Sequence, residues 1–308
     1  MLLSAFLDVL LPIIIVVAIG YTLSRKLPLD VRSLNRLSMY ALSPALIFTT
    51  LIKLEVAGDQ ALRIASVSVL VIAIMGIITL LIGRVLGMQR ASLAALMLCT
   101  MFMNAGNYGL PTARFAFGEA GLQRALLFFI PQTLLAQMLA IAIATSGNGA
   151  TLRASIRQIF RMPQIYAALA GLLVRAAGIS LTSAPPGIDG LLRGIAMIAD
   201  ATLPLLLLFL GMQLAQGLSM VDAHMTVLAA ILRLVVSPVL ALGLAWGLGL
   251  DDTAWRVVVI QSAMPAAVNM ALYALEFDAR PRYVAGVVAL TTLISPLTLA
   301  AILSVLRR

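Results

Sequence analysis

Charged residues are scarce in this chain: they make up 11% of its 308 residues, whereas hydrophobic residues make up 62%. Soluble proteins do not have this composition, and the mean hydropathy of +1.08 agrees. We therefore expect an all-α polytopic membrane protein embedded in a lipid bilayer. The net charge of +9 does not indicate a nucleic-acid partner, because the basic residues are scattered in short loops, where they set membrane topology.

Residues suited to metal binding or catalysis are almost missing. The single cysteine, Cys99, excludes an intramolecular disulfide and lies in an apolar segment, where we expect an inert core residue. The single histidine, His224, cannot form a histidine metal site within one chain. No metal or cofactor is therefore expected. With no paired aspartates and no serine–histidine pair at membrane depth, an enzyme is not expected either. The first apolar run, from Leu2 to Leu23, is too long for a cleavable signal peptide.

Hydrophobic runs divide the chain into ten spans, each long enough to cross a membrane as a helix. Short breaks with glycine, proline or charged residues separate them. The longest polar stretch falls at the midpoint and predicts a cytoplasmic linker, 146–162, between units 1–145 and 163–308. The ten spans are about 4–24, 33–52, 62–86, 91–117, 121–145, 163–181, 190–215, 226–249, 254–276 and 283–306.

The fourth span contains residues that a continuous lipid-facing helix would not use. Its centre, Asn104 to Pro111, holds two asparagines, two glycines (Gly106 and Gly109) and a proline. Glycine weakens a helix and proline removes a donor, so the freed backbone groups must face protein or a wet cavity. A broken helix at membrane depth is a binding-site candidate. A plain kink is the alternative, since proline and glycine are common in membrane helices.

The ninth span has a similar interruption, from Gln261 through Pro265 to Asn269. Prolines and glycines also recur in the same order in both halves of the chain, which predicts a five-plus-five repeat. Because five is odd, the second copy must lie inverted in the membrane, as in many secondary transporters. The matched positions are Pro12–Gly20 with Pro163–Gly171, Pro44 with Pro204, Gly87 with Gly249, Pro111 with Pro265, and Pro131 with Pro296.

Lysine and arginine in the first half favour an N-terminus outside the cytoplasm. The bias is nearly absent in the second half, so the orientation depends on the first. Ten spans then place both termini on the periplasmic side of an inner membrane.

The two interruptions predict an anion site. The second half of each broken helix would begin near the midplane with free amides and the positive end of a helix dipole. Asn104, Asn107 and Asn269 can donate amide hydrogen bonds there, and Gln132 and Gln261 can assist. Such a site suits a small organic anion better than a cation.

Two charged residues lie well inside spans. Asp200 is either a proton-coupling site or a polar contact between packed helices, and the second is favoured because one carboxylate is little for cation exchange. Arg233 could pair with a carboxylate, meet an anion, or extend to the membrane interface. Tyr108, beside the interruption, is either a gate or an aromatic residue packed over the break.

With these features the chain resembles the auxin efflux carrier family of membrane transporters, whose fold is similar to that of the bile acid/sodium symporters. Bacterial members are named as permeases for malate, malonate and related carboxylates. The resemblance covers nearly the whole chain. Its most specific segments are Leu34–Leu37, Ser43–Phe48, Asn104–Pro111, Phe117–Leu122, Met264–Ala267 and Glu276–Phe277.

The resemblance implies ten helices in which broken helices 4 and 9 cross. It also implies a scaffold of helices 1, 2, 6 and 7, a moving core of helices 3–5 and 8–10, elevator-type transport, and a homodimer formed through the scaffold. Asn104 matches the crossover asparagine, and Pro111 and Pro265 match the crossover prolines. Gln132 falls near a substrate-facing glutamine of the plant members.

The chain departs from the plant members at three points. It has Ile47 where they have a polar residue, it lacks their large central loop, and its third span has no acidic residue. These differences argue against auxin itself and leave the coupling ion open. The preferred hypothesis is a secondary carrier of a small carboxylate such as malate or malonate. The alternative is a sodium- or proton-coupled symporter or antiporter of the bile-acid symporter type.

Overall fold

The structure is a computed structural model that describes residue 3 and residues 6–144, 162–179, 188–215 and 221–306. These residues are helical apart from turns, two short breaks and one isolated β-bridge. The predicted linker 146–162 lies outside the described residues except for Met162. The helices are α1 Phe6–Lys26, α2 31–52, α3 Gly58–Val85, α4 Arg90–Met101, α5 Leu110–Ala144, α6 Pro163–Ala176, α7 Ile188–Leu214, α8 Ala223–Gly247, α9 Asp252–Ser262, α10 Asn269–Glu276 and α11 Pro281–Leu306.

Five of these helices, α1, α3, α7, α8 and α11, are long and apolar enough to cross a membrane. The prediction of an all-helical, multi-pass membrane protein is therefore confirmed. Helix α5 contains one non-helical residue, Gly118, whose φ of 65° lies in the left-handed region. Gly118 lies between the predicted fourth and fifth spans. Glycine suits this position because a residue with a side chain would be strained at that φ.

Helices α1, α2, α6 and α7 pack against one another at small residues. A methyl group added to Gly20 of α1 would lie 2.1 Å from the Leu208 carbonyl oxygen of α7, and one added to Gly171 of α6 would lie 2.9 Å from the Phe48 carbonyl oxygen of α2. Polar contacts join α7 to α2: Thr202 donates to the Leu42 carbonyl. Such close backbone approach is typical of helix packing in membranes.

The remaining helices, α3–α5 and α8–α11, form a second packed group. Ser68 of α3 donates a hydrogen bond of 2.8 Å to the Phe128 carbonyl of α5, although both lie in an apolar interior. Buried apolar side chains of α3, α5, α8 and α9 form one continuous cluster, which also includes side chains of α1, α2 and α7. Residues of the two interrupted segments, such as Met103 and Met264, belong to the same cluster.

An ion pair outside the apolar interior fixes the start of α9 to α5. Asp251 caps α9 by accepting from the Ala254 amide at 2.8 Å and pairs with Arg124 at 3.0 Å. Burial opposes ionisation of the Asp251 carboxyl, but its bonds to Arg124 and to the helix amides outweigh this and lower its pKa. The carboxylate therefore stabilises this turn.

Candidate functional site

The two interruptions pair with each other through their backbones. Helix α4 ends at Met101 and α9 ends at Ser262, and between them Met103 and Ala266 form an antiparallel bridge. The Asn104 amide donates to the Pro265 carbonyl at 2.8 Å, and the Ala267 amide donates to the Phe102 carbonyl at 2.9 Å. These bonds satisfy backbone groups that no helix satisfies here. We call the paired segments, 102–109 and 263–268, the crossover.

A narrow cleft of about 70 Å³ lies against the crossover, where α2, α5, α6 and α10 meet. Six carboxamide side chains line it, together with hydroxyl and apolar groups, and none of its described lining residues is charged. We call it the amide cleft. Its six carboxamides are Asn104, Asn107, Gln132, Gln137, Gln164 and Asn269.

Three of these carboxamides, Asn104, Gln132 and Gln164, are buried, and each has a polar atom without a partner among the described residues, which in Gln164 is Oε1. Asn104 is 6% exposed, and its Nδ2 has no partner among the described residues. Gln132 is 3% exposed; its Nε2 donates to the Met103 carbonyl at 2.9 Å, while its Oε1 has no such partner. A buried polar group without a partner is costly, so these atoms are poised to bind a ligand or water.

Helix beginnings also face the amide cleft. Gly106 and Asn107 belong to the π-helical turn Ala105–Gly109 that leads into α5, and Asn269 is the first residue of α10. The first amides of a helix have no intrahelical partner and carry the positive end of its dipole. The electrostatics of the cleft therefore favour negative charge without a lysine or arginine.

Most predicted binding residues meet in this cleft, but Gln261 does not line it. Gln261 is fully buried against Gly109: a methyl group on Gly109 would lie 2.0 Å from the Gln261 Oε1. The predicted crossover residues Pro111 and Pro265 lie in the first turn of α5 and in the crossover. Tyr108 is buried in the core and does not line the cleft, as expected for the packing alternative.

The sequence reasoning missed the contributions of α2, α6 and the end of α5. Gln137 of α5 and Gln164 of α6 line the cleft, as do Ser38 and Ser43 of α2. Both glutamines are carboxamides in apolar spans, and Ser43 precedes a helix proline. These polar residues could have been recognised from the sequence, because a polar side chain at membrane depth costs free energy and commonly has a function.

A wider cleft of about 670 Å³ lies toward the other end of α2. Its charged residues are Lys53, Arg114, Glu119 and Asp200, and Arg114 forms an ion pair with Glu119. Asp200 is exposed and lines this cleft, and its role stays a prediction. The amide cleft reaches α2 at Ser38–Ser43, whereas the wider cleft is lined by Leu46–Lys53 at the C-terminal end of α2.

The fold and the polar crossover define a multi-pass membrane protein with an internal polar cleft, and comparison with known proteins identifies its class. Residues 5–303 match the membrane transport protein family. The chain belongs to this family, which is that of the auxin efflux carriers, and it is a membrane transporter. The predicted resemblance is thereby confirmed.

Individual relatives agree with this assignment. The chain is 27% identical over 296 residues to an uncharacterized transporter of Methanothermobacter thermautotrophicus, covering 95% of each protein. It is 24% identical over 302 residues to another from Methanocaldococcus jannaschii, covering 96% of each. Auxin efflux carrier component 8 of Arabidopsis thaliana is 27% identical over 148 residues, which are 47% of this chain and 40% of that protein.

Proposed function

We propose that the protein is a secondary carrier of a small organic anion, and that a carboxylate of the substrate binds in the amide cleft. The observation that carries this proposal is the Asn104 Nδ2: it is buried, lines the cleft and has no partner among the described residues. An amide nitrogen can only donate, so its natural ligand is an acceptor. A carboxylate is a strong acceptor, and charge-assisted hydrogen bonds are stronger than neutral ones.

The surroundings of Asn104 support an anion over a cation. The described lining residues include no carboxylate, a group that would favour a cation over an anion at this depth. The beginnings of α10 and of the turn before α5 add positive potential. Malate, malonate and auxin-like acids all carry the required carboxylate. A cleft of about 70 Å³ leaves little room in this conformation, which favours the smaller acids.

The proposed architecture is ten spans arranged as a five-plus-five inverted repeat in the cell inner membrane, with both termini periplasmic. Gly20 of α1 packs on α7, and Gly171, at the matched position of α6, packs on α2. An inverted repeat that relates α1 to α6 and α2 to α7 predicts this exchange. The reciprocal hydrogen bonds of the crossover have the same two-fold relation.

The proposed mechanism is an elevator, in which the crossover group moves against α1, α2, α6 and α7. Both clefts lie between these two groups, and they reach different parts of α2, its middle and its C-terminal end. Sliding one group would close one cleft while opening the other, which is alternating access. Homodimerisation through the α1, α2, α6 and α7 group belongs to the same proposal.

Proton coupling through Asp200 is a second candidate property. Asp200 lies inside a span and is exposed in the wider cleft, where a proton could reach it. Replacement by asparagine would remove the titrating group. An Asp200→Asn protein that still couples uptake to a pH gradient would contradict this role.

The test of the binding proposal is thermal stabilisation of the purified protein by malate, malonate, succinate, acetate and indole-3-acetate, with choline chloride as the salt control. A ligand of the folded state raises the melting temperature by mass action. We expect at least one carboxylate to give a saturable increase that Asn104→Ala abolishes. Asn35→Ala is the control. Asn35 accepts a hydrogen bond from Gln213 within the α1, α2, α6 and α7 group, so this variant should show the same increase in melting temperature.

Two results would overturn the proposal. One is a melting temperature that no carboxylate changes. The other is a carboxylate-induced increase of the same size in a folded Asn104→Ala protein.

A further inference from the structure

Arg233 is a fully buried basic residue that lies next to the ends of α4 and α9, where the crossover segments begin. It lies in the π-helical turn Leu232–Val236 of α8 and is 0% exposed. Of the alternatives considered for Arg233, its burial argues against extension to the membrane interface. In the described part of the chain, the ion pairs found do not include one from Arg233 to a carboxylate. Its charge is balanced in another way.

The partners of the guanidinium are the ends of the two half-helices. Nη1 donates to the Thr100 carbonyl at 2.7 Å, and Nη2 donates to the Ser262 carbonyl at 2.6 Å and to the Ser237 hydroxyl. Thr100 lies in the last turn of α4, and Ser262 is the last residue of α9. One side chain therefore joins both broken helices.

These carbonyls carry negative potential. The last four carbonyls of a helix have no intrahelical partner, and they form the negative end of its dipole. In membrane carriers, half-helix ends of this kind commonly hold a coupling sodium ion or proton. Two such ends converge in this protein, and the guanidinium lies between them.

We infer that Arg233 is a built-in cation that neutralises the C-terminal ends of α4 and α9 in place of a bound metal cation. The crossover consequently holds no sodium ion. Arg233 is a positioning residue: it keeps the two half-helices together and does not line the amide cleft. The inference depends on the contacts of Arg233 and not on which anion the protein carries.

Removal of the guanidinium would leave a site built from oxygen atoms. The Thr100 carbonyl and the Ser237 hydroxyl would lose the donor that Arg233 provides, and the Ser262 carbonyl would keep only its hydrogen bond from the Ser237 hydroxyl. The Ser262 Oγ is also buried without a partner among the described residues. Oxygen ligands suit hard cations. An Arg233→Ala protein should therefore gain a sodium response that the unmodified protein lacks.

The experiment measures melting temperatures in sodium, potassium and choline chloride at equal ionic strength, without substrate. We expect the unmodified protein to melt at the same temperature in all three salts. Arg233→Ala should melt several degrees lower, and sodium should restore part of the loss relative to choline. Arg63→Gln is the matched control, because Arg63 donates to the Leu248 and Gly249 carbonyls at the exposed end of α8, and its side chain is 42% exposed.

A second pair of variants decides the matter if Arg233→Ala does not fold. Arg233→Lys keeps the charge, whereas Arg233→Gln keeps hydrogen-bond donors without it. We expect the lysine variant to melt several degrees above the glutamine variant in choline chloride, and sodium to narrow the gap. Equal melting temperatures for the two would overturn the inference.

A sodium-specific stabilisation of the unmodified protein would also overturn it, as would a folded Arg233→Ala protein that no cation stabilises. Because no substrate is present, these outcomes are separate from those that test the anion proposal.

Discussion

At the residue scale, Gly109 marks a place in the crossover that has no room for a side chain. Gly109→Ala would place a methyl group 2.0 Å from the Oε1 of the fully buried Gln261. We expect a loss of about 1–3 kcal/mol in stability from overpacking, with impaired transport. Thermal melting and uptake measure the two effects. Gly243→Ala is the control, since no atom lies within 4 Å of a methyl group there.

Shortening Gln261 should relieve the clash. In a double-mutant cycle, Gly109→Ala with Gln261→Ala should cost less than the sum of the two single changes. Additive losses would mean that Gly109 matters through backbone conformation alone and not through its contact with Gln261.

Single residues were predictable where chemistry alone marks them. A carboxamide beside glycine and proline inside an apolar run identified Asn104, Asn107 and Asn269, and these line the amide cleft; their binding role stays a prediction. The direction of the Gln261 side chain was not predictable, because it packs against Gly109, a residue far away in the sequence. Arg233 was not predictable either, since its partners are backbone carbonyls that sequence does not distinguish.

At the element scale, the contact between α1 and α7 depends on small residues. A methyl group on Gly211 of α7 would lie 1.9 Å from the Val17 carbonyl oxygen of α1, whereas one on Gly194 of the same helix meets no atom within 4 Å. We expect Gly211→Ala to cost about 1–3 kcal/mol by forcing the backbones apart. Gly194→Ala should be neutral or stabilising, as alanine is the better helix former. Equal melting temperatures for the two variants would contradict this.

The start of α9 should respond to acid through Asp251. Its pKa is lowered below the ordinary value of 3.8, so its stabilisation is complete above that pH and is lost as the pH falls through the lower folded value. We expect Asp251→Asn to melt a few degrees below the unmodified protein at neutral pH, with convergence below about pH 4. Asp252→Asn, which removes a 70% exposed carboxylate paired with Arg256, should show little difference. A gap for Asp251→Asn that persists in strong acid would contradict the assignment.

Hydropathy predicted where the helices lie along the chain better than it predicted where each helix is broken. The predicted break between the fourth and fifth spans reduces to the single residue Gly118 inside α5. The ninth span, by contrast, is divided into α9 and α10 at the interruption that its proline and carboxamides indicated. Hydropathy measures burial in lipid and is blind to backbone angles, which depend on tertiary contacts such as the Met103–Ala266 bridge.

At the scale of the whole molecule, the account predicts that two helix groups move past each other. Lys53 of the first group and Phe115 of the second both line the wider cleft. Joining cysteines at these positions with a cleavable bifunctional maleimide, in a Cys99→Ala background, should abolish uptake, and cleavage should restore it. A cross-link within the first group, between positions 21 and 208, should leave uptake intact. If protein that is completely cross-linked between positions 53 and 115 takes up substrate at the rate of the unmodified protein, the proposed movement is contradicted.

The most direct test of the anion-carrier account is uptake of the stabilising carboxylate into proteoliposomes by the unmodified protein, Asn104→Ala and Asn104→Asp. Loss of a hydrogen bond to a charged group should reduce uptake about 10-fold or more in the alanine variant. The aspartate variant should lose uptake further through charge repulsion, with all three proteins equally folded. Equal uptake by the unmodified protein and Asn104→Asp would contradict an anion site at the crossover.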